Sequence, residues 1–330
     1  MIESPSLLAR ARALKPRIAR ELRAYPNVTG VGVGYRRVRG RRTDQVCIRV
    51  YVRRKLPRSE LRPQDVLPEA VEGVPVDVIE ARFKTTGDGV ENRQHFNPLV
   101  GGIIIGNPIS DAFGTLGVSV FDNVIREDMI LSNWHVLCGR LDCRPGEPIV
   151  PGVIPPDVEV KKENIIQENV VARLHRFALT NEVDAATARL NGERFLLKRV
   201  FQIGGVDDVA TAALGMDVWK SGARTGLTPG VVCDTDADVT VDFGESGMGD
   251  RDFNHQLVIE GDDAISLNGD SGSVWLDGAN RVVGLNFAGN DDGTVANANP
   301  IGAVLDALNI DLRVGITTHD FVAITTNALL

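Results

Sequence analysis

Three short segments of the chain carry side chains that could share one chemical task. Ser271 lies between small residues, in Asn268-Gly269-Asp270-Ser271-Gly272-Ser273, just before an apolar run. His135 lies at the end of an apolar run. Asp184 lies at the beginning of another run, in which apolar and polar residues alternate. A serine becomes a nucleophile when backbone N–H groups and a base lie beside it, and an imidazole oriented by a carboxylate is such a base. The segments predict nucleophilic catalysis if folding brings them together. Taken alone, the serine stretch is more typical of a hairpin turn.

The residues around these side chains resemble the catalytic segments of trypsin-like (chymotrypsin-fold) serine peptidases. Ser132 to Val136, Val183 to Ala186 and Gly269 to Ser273 follow one another in the order histidine, aspartate, serine. That order is the one found in chymotrypsin, and it differs from the orders in subtilisins and α/β-hydrolases. Lys220 to Val232 is similar to the second-barrel hairpin of bacterial members. The resemblance covers roughly residues 98–310, and plant narrow-leaf proteins look related.

The resemblance implies a role for each residue. Ser271 would be the nucleophile, His135 the general base and then acid, and Asp184 the orienting carboxylate. The N–H groups of Gly269 and Ser271 would form the oxyanion hole, with polypeptide as the substrate and no metal or organic cofactor. The pocket for the residue before the scissile bond contains no acidic side chain, which favours a small or medium apolar residue there. Its predicted lining is Ile265, Phe287, Ala288 and Gly289.

The expected fold is mostly β. From Pro98 onward, many short apolar runs alternate with Gly, Asn, Asp and Pro turns, a pattern typical of a barrel or sandwich. The resemblance makes this two six-stranded antiparallel β-barrels, residues 98–200 and 201–310. A helix is expected at 301–308 and a C-terminal extension at 311–330.

A small basic α+β module is expected ahead of the barrels, in residues 1–82. Apolar residues at three- and four-residue steps predict a helix over 6–24, and strands are expected at 28–35, 46–52 and 74–79. The polar, glycine-containing stretch 83–97 is interpreted as a linker. The motif Leu99-Val100-Gly101-Gly102 also resembles an activated N-terminus, which would make residues 1–98 a propeptide and Asp270 the acceptor. A plain first barrel strand is the favoured interpretation.

Charge is divided unevenly along the chain. Residues 1–70 contain 17 Lys and Arg against 6 Asp and Glu, a net charge of +11, whereas the whole chain carries −8. The module could bind nucleic acid or another acidic partner, or dock on its own acidic neighbour. In a peptidase it would position substrates, sense a protein partner or restrain the active site. Nucleic-acid binding is disfavoured because Arg36 to Arg42 lacks interleaved stacking aromatics. The acidic stretch from Asp234 to Asp252 is interpreted as a solvated face, with a calcium site as the alternative.

Four cysteines in 330 residues do not make a disulfide scaffold, and the sequence shows neither a secretory signal nor a membrane span. A reducing, cytoplasmic location is therefore expected. Cys138 and Cys143 could pair or hold zinc, but free thiols are the favoured interpretation. The rival to a peptidase is a scaffold or binding protein that keeps the barrels with little or no turnover.

Overall fold

The chain was analysed as a computed structural model. The structure describes residues 6–38, 41–81, 83–85, 96–152 and 169–312. The predicted linker falls largely outside these ranges, as does most of the predicted C-terminal extension. Within the described residues, no helix is long and apolar enough to cross a membrane.

The N-terminal module packs one helix against a small sheet. Helix α1 (Leu7–Arg23) begins at Ser6, whose hydroxyl accepts a 3.2 Å hydrogen bond from the Ala9 N–H, a common N-cap arrangement. The buried stripe of α1 packs on alternate valines of the first strand. The predicted helix and three strands are present. The strands are β1 (Val28–Val38), β2 (Arg41–Val52), β3 (Ala70–Val71), β4 (Val74–Glu80) and β5 (Phe83–Thr85), with single 3-10 turns at Arg58–Glu60 and Pro63–Asp65.

The next strands form the first barrel. They are β6 (Leu99–Gly101), β7 (Ile104–Asn107), β8 (Ala112–Thr115), β9 (Val118–Asp122), β10 (Asp128–Ser132), β11 (Pro148–Ile149), β12 (Ala172–Leu179), β13 (Asp184–Leu190) and β14 (Leu196–Val200), with helix α2 (Trp134–Leu137) after β10. β8 runs on into β9, which pairs with β10, and the order continues through β13, β12 and β11. Reciprocal 3.0 Å hydrogen bonds between Gly106 and Val150 link β7 to the end of β11 and close the ring.

The second barrel closes through strand pairing alone. Its ring runs β17-β20-β21-β22-β19-β18 and returns from β18 to β17, and all six pairings are antiparallel. The elements are β15 (Gly204–Gly205), β16 (Asp208–Val209), β17 (Asp217–Gly222), β18 (Gly226–Asp242), a 3-10 turn (Gly244–Ser246), β19 (Asp250–Glu260), β20 (Val274–Asp277), β21 (Arg281–Gly289), β22 (Val295–Pro300), α3 (Ile301–Leu308) and β23 (Ile310–Asp311). The prediction of a mostly β, chymotrypsin-like two-barrel fold is confirmed, and α3 has the predicted bounds.

The module is joined to the second barrel by a shared sheet. β1 pairs antiparallel with β18, so that the module strands extend the sheet of the barrel. Glycines alternate with valines along β1, and the glycines face the barrel. A Cβ on Gly34 would lie 2.1 Å from the Cys233 carbonyl oxygen, and one on Gly32 would lie 1.8 Å from Asp234 Oδ2. Side chains at these positions would therefore hold the two strands apart.

Basic residues of the module meet acidic residues of the barrel across this joint. Lys15 is buried, and its ammonium lies 3.1 Å from Asp236 and 2.8 Å from Asp238. Two further pairs, Arg23–Asp252 and Arg53–Asp250, bridge the same surfaces. The interpretation of Asp234 to Asp252 as a solvated face was therefore wrong, because several of its carboxylates bind the module.

A buried carboxylate lies at the centre of the joint. Glu260 contacts the fully buried Arg49 through Oε1 and lies 2.8 Å from Arg37 through Oε2. Burial raises the pKa of the Glu260 carboxyl, but Arg49 and Arg37 outweigh burial and hold that pKa below its ordinary value. A charge buried in this way depends on its partners, since an unpaired one is costly.

The first residues of the predicted linker form a strand. Phe83–Thr85 is β5, which pairs in parallel with the end of β18 and antiparallel with the end of β21. Phe83 is buried, and its ring centroid lies 5.3 Å from that of Tyr51. Apolar packing and strand pairing therefore hold this segment in place, although the polar sequence that follows it predicted only a linker.

We predict that Glu260→Gln lowers the free energy of unfolding by about 3 kcal/mol, because it leaves the buried Arg49 guanidinium without its anion. Asp250→Asn is the matched control. It removes a charge from the same joint, but both side chains of the Arg53–Asp250 pair are half exposed, so a loss below about 1 kcal/mol is expected. Urea unfolding measures both changes. Equal losses of unfolding free energy in the two variants would show that the buried Glu260–Arg49 pair does not stabilise the joint more than the exposed pair does.

A second prediction concerns pH. Burial raises the pKa of Asp234 to about 7, although the Asp236 N–H, Arg49 and Lys15 act in the opposite direction. In the unfolded chain this carboxyl titrates near pH 4, at about 3.9. The folded state therefore binds the extra proton, and the free energy of unfolding falls as pH rises from about 4 to about 7.

Asp234→Asn has no carboxyl to titrate at this position. We therefore expect the unfolding free energy of the variant to rise relative to that of the wild type between about pH 4 and about pH 7, and the difference to stay constant above that interval. Urea midpoints measured at several values between pH 5 and pH 8 give this difference. A constant difference would show that Asp234 does not change protonation on unfolding in that window.

Candidate active site

The candidate histidine is placed by the strand before it. β10 runs into α2, which begins at Trp134, so His135 lies one turn past the end of a buried barrel strand. The side-chain amide of Asn133 donates to the Asp184 carbonyl oxygen at 2.7 Å and ties this turn to the start of β13. His135 is buried, with 9% of its surface exposed.

The carboxylate of Asp184 contacts His135 at two points. Oδ2 lies 2.5 Å from the imidazole Nδ1, and Oδ1 accepts a 3.2 Å hydrogen bond from the His135 backbone N–H. Asp184 is fully buried. An anion on Nδ1 leaves Nε2 as the nitrogen that can accept a proton, which is the arrangement a general base requires.

The second barrel holds the aspartate in place through a residue that sequence analysis missed. The Asn299 side-chain oxygen accepts a 3.0 Å hydrogen bond from the Asp184 N–H, and its amide donates to Gln256 Oε1 at 2.6 Å. Both Asn299 and Gln256 are fully buried. The available signal was the alternation Asn297-Ala298-Asn299, because amides in a strand among apolar residues need specific partners.

Ser271 lies beside the histidine turn, in the cleft between the barrels. The Thr115 N–H donates to the Ser271 carbonyl oxygen at 2.7 Å, which fixes the serine turn to β8. A Cβ placed on Gly114 would lie 2.5 Å from Val136 Cγ2 and 2.6 Å from the Ser271 carbonyl oxygen. The residue after the histidine and the serine backbone therefore approach the same point, and only a glycine fits between them.

The serine hydroxyl does not engage the histidine in this structure. Ser271 Oγ donates to the Phe287 carbonyl oxygen at 3.2 Å, and Ser271 is fully buried. Among the described residues, His135 Nε2 has no hydrogen-bond partner. The structure therefore brings the three predicted side chains to one cleft and forms the His135–Asp184 contact, but not the contact between Ser271 Oγ and His135 Nε2.

The turn that carries Ser271 is held by the residues on both sides of it. Gly269 has φ of +104° and Gly272 has φ of +92°, which suits glycine alone. The Thr115 hydroxyl donates to the Gly269 carbonyl oxygen at 2.7 Å. This bond ties the turn to β8.

Asp270 is anchored within the second barrel. Its carboxylate accepts hydrogen bonds from the N–H groups of Arg224, Thr225 and Leu267 at 2.9, 3.0 and 2.9 Å. Lys220, also fully buried, lies 3.4 Å from it. Burial lowers the pKa of the Lys220 ammonium, and Asp270 opposes that shift.

The predicted activated N-terminus has a different position. Leu99–Gly101 is strand β6, and the Leu99 N–H donates to the Phe195 carbonyl oxygen at 2.7 Å. The Leu99 nitrogen is therefore engaged away from Asp270, whose carboxylate is already bonded within the second barrel. This supports the favoured interpretation of Leu99 to Gly102 as the beginning of the first barrel.

All four predicted pocket residues are buried, but the three that carry side chains belong to two core clusters. Phe287, whose carbonyl oxygen binds Ser271 Oγ, and Ala288 pack in the cluster that includes the histidine turn. Ile265 packs in a separate cluster of the second barrel. Ile265 lies in the loop after β19, while Phe287, Ala288 and Gly289 form the end of β21. Ring contacts continue from Phe287 to Phe253 at 4.9 Å, to Phe243 at 5.6 Å, and then to the His135 ring at 5.9 Å. Aromatic packing from the β18–β19 hairpin thus reaches the His135 ring.

The expectation of free thiols after the histidine was wrong for Cys138 and Cys143. These residues form a disulfide with a Cα–Cα distance of 5.6 Å, within the usual range for such a bond. The bridge closes a five-residue step directly after α2.

Comparisons with known proteins give similarities of two kinds. The family profile described as the NARROW LEAF 1 N-terminal domain matches residues 7–79, which lie within the module. None of the curated proteins that were compared matches the chain.

Solved protease structures are similar to about two thirds of the chain. Protease A of Thermobifida fusca is 19% identical with a TM-score of 0.48, and the match covers 66% of this chain and 100% of that one. Cellulomonas bogoriensis chymotrypsin is 18% identical with a TM-score of 0.45, with coverages of 66% and 100%. The MamO protease domain of Magnetospirillum magneticum is 15% identical with a TM-score of 0.38, with coverages of 62% and 95%.

We predict that Asn299→Ala slows modification of Ser271 by a fluorophosphonate about tenfold or more, because it leaves the buried Asp184 N–H unbonded and frees the carboxylate to shift. Asn123→Ala is the control, because the Asn123 side chain lies on the surface and donates to Asn309 Oδ1 at 3.4 Å. Labelling is followed by intact mass. An unchanged rate in a folded Asn299→Ala variant would show that the inter-barrel bond does not position the aspartate.

Proposed function

We propose that the protein is a serine endopeptidase that hydrolyses peptide bonds through an acyl-enzyme intermediate. The observation that carries the proposal is the contact between His135 Nδ1 and Asp184 Oδ2, 2.5 Å long and buried, in the cleft that also holds Ser271. A buried imidazole with one nitrogen on a carboxylate and the other unbonded is poised to take up a proton.

The reaction begins with a rotation of the serine side chain. Turning about its Cα–Cβ bond moves Ser271 Oγ from the Phe287 carbonyl oxygen toward His135 Nε2. As Oγ attacks the substrate carbonyl carbon, Nε2 takes its proton, and Asp184 stabilises the resulting imidazolium. His135 then gives that proton to the leaving amine, and water releases the acyl group by the same sequence in reverse.

The oxyanion is proposed to bind the N–H groups of Gly269 and Ser271. Two constraints on the turn support this arrangement. The bond from Thr115 Oγ1 to the Gly269 carbonyl oxygen fixes the peptide that follows Gly269, and the anchored carboxylate of Asp270 holds the residue between the two donors. Donors fixed before the reaction stabilise the charge that develops without further reorganisation. Loss of one such donor typically slows acyl transfer by about 100- to 1,000-fold.

The expected specificity follows from the pocket lining. Ile265, Phe287, Ala288 and Gly289 offer apolar surface without a carboxylate, which favours a small or medium apolar residue before the scissile bond. We also retain the proposals that the module binds or senses a protein partner and that the location is cytoplasmic. Nucleic-acid binding is weakened as an alternative because Lys15, Arg23, Arg49 and Arg53 are paired with barrel carboxylates.

One observation favours the scaffold as a second candidate. Ser271 is fully buried, and its hydroxyl donates to Phe287 rather than to the imidazole. A scaffold would keep this arrangement permanently, whereas a peptidase must leave it during each catalytic cycle.

A fluorophosphonate probe and a fluorescent protein substrate such as labelled casein distinguish the two candidates. We expect the wild type to be modified on Ser271 and to cleave casein, Ser271→Ala to do neither, and His135→Ala to lose at least about 1,000-fold in rate. Ser246→Ala, in the 3-10 turn after β18, is the control and should match the wild type. Absence of both labelling and cleavage in folded wild-type protein would favour the scaffold.

A further inference from the structure

One edge of β21 carries three partners in succession. Its opposite edge is occupied by β16 at Arg281 and Val282 and by β22 along Gly284 to Gly289. On the cleft side, β20 pairs with the first part of β21, as far as Leu285. The serine turn follows: the Gly272 N–H donates to the Asn286 carbonyl oxygen at 2.8 Å, and Ser271 Oγ donates to that of Phe287.

β5 occupies the next position along the same edge. Thr85 pairs with Ala288 and Lys84 pairs with Gly289, in the antiparallel direction. These are two of the residues predicted to line the substrate pocket, and they directly follow the residue whose carbonyl binds Ser271 Oγ. A free strand edge beside a nucleophile offers backbone groups to which an extended polypeptide can add as a strand. Here the chain's own segment fills that edge.

The segment is anchored on its other side as well. β5 pairs in parallel with Val241 and Asp242 of β18, so it lies between two strand ends of the second barrel. The Phe83 side chain is 1% exposed and packs edge-on against Tyr51 of β2. The Ala81 N–H donates to the Val52 carbonyl oxygen at 2.8 Å, which fixes the chain just before β5 to the module.

Occupation of this edge coincides with a sealed nucleophile. Ser271, Phe287 and Ala288 are each 0% exposed. We propose that Phe83–Thr85 is an intramolecular inhibitor, which occupies the edge of β21 along which a polypeptide substrate would pair. This inference rests on the proposed peptidase function and adds its regulation: the module, through its trailing strand, keeps the site closed, and displacement of β5 opens it.

An inhibitor of this kind changes the fraction of molecules in which the edge of β21 is open. It does not change the intrinsic reactivity of Ser271 in those open molecules. The apparent reactivity of Ser271 is then its intrinsic reactivity multiplied by the fraction of molecules in which β5 has left the edge. Weakening β5 should raise that fraction, and with it the labelling rate, with no change in any residue of the cleft.

The test compares second-order rates of fluorophosphonate labelling of Ser271 in the full chain. Lys84→Pro/Thr85→Pro removes both backbone N–H donors of β5 after Phe83 and disfavours pairing. We expect labelling to accelerate about tenfold or more. Ala70→Pro/Val71→Pro is the matched control: it makes the same change in β3, an edge strand at the far end of the module sheet, and should label at the wild-type rate.

The outcomes separate this inference from the proposed function. Equal rates in the wild type and the folded β5 variant would overturn the inhibitor while leaving the peptidase intact. Failure of every variant to label Ser271 would refute the peptidase itself, and the inhibitor with it. Wild-type protein that cuts itself just beyond β5, seen by intact mass as a loss from 35.7 kDa in two pieces, would identify the segment as a substrate and also overturn the proposal.

A milder variant covers the case in which two prolines prevent folding, shown by the loss of a cooperative thermal transition. Lys84→Gly/Thr85→Gly keeps both N–H groups and raises the entropic cost of ordering the strand. It should also label faster than the wild type, but by a smaller factor than the double-proline variant, roughly threefold. A wild-type rate in this folded variant would count against the inhibitor.

Discussion

A single strand, β18, connects the parts of this molecule. Over Gly226–Asp242 it pairs with β17 and β19 to close the second barrel, with β1 to attach the module, and with β5 beside the cleft. The register of its pairing with β19 shifts at three places. Because backbone groups buried at such a junction must all be bonded, none of these partners can leave without exposing or orphaning part of the strand. The module is therefore an integral part of the fold rather than an appended domain.

The division of charge along the sequence follows from this attachment. A basic module and an acidic barrel attract each other, but most of the joint's charges lie near the surface, where solvent limits an ion pair to about 1 kcal/mol or less. The buried Glu260–Arg49 pair at the centre of the joint differs from these surface pairs. Both side chains are buried, so each contributes mainly by preventing the other from being an unpaired buried charge. Apolar packing of Tyr51 and Phe83 with barrel residues adds strength that does not depend on salt.

Sequence analysis identified the candidate residues that lie in recognisable short motifs. His135, Asp184 and Ser271 each lie in a short segment of recognisable type, and the order of the segments indicated two barrels. What it missed depends on contacts between segments far apart in the chain. Asn299 bonds Asp184 across 115 positions, and β5 pairs with residues some 200 positions later. A three-residue strand has too little pattern to predict, and a pair of cysteines is indistinguishable from two thiols until their Cα distance is known.

A buried serine hydroxyl is compatible with catalysis if the closed state is only modestly favoured. Detaching β5 breaks a few backbone hydrogen bonds, each with a net value of about 1 kcal/mol because water replaces the partner. A difference of about 3 kcal/mol corresponds to an open fraction on the order of 1%, within the range in which a partner or substrate can shift the population. The Ser271–Phe287 bond is a further single interaction of this size. The buried His135–Asp184 contact, by contrast, is already made in the closed state. On this reasoning the closed structure already contains the His135–Asp184 contact, and only a few weak bonds hold β5 and the Ser271 hydroxyl in place. The proposed reaction requires that β5 moves away and that the Ser271 side chain rotates toward His135.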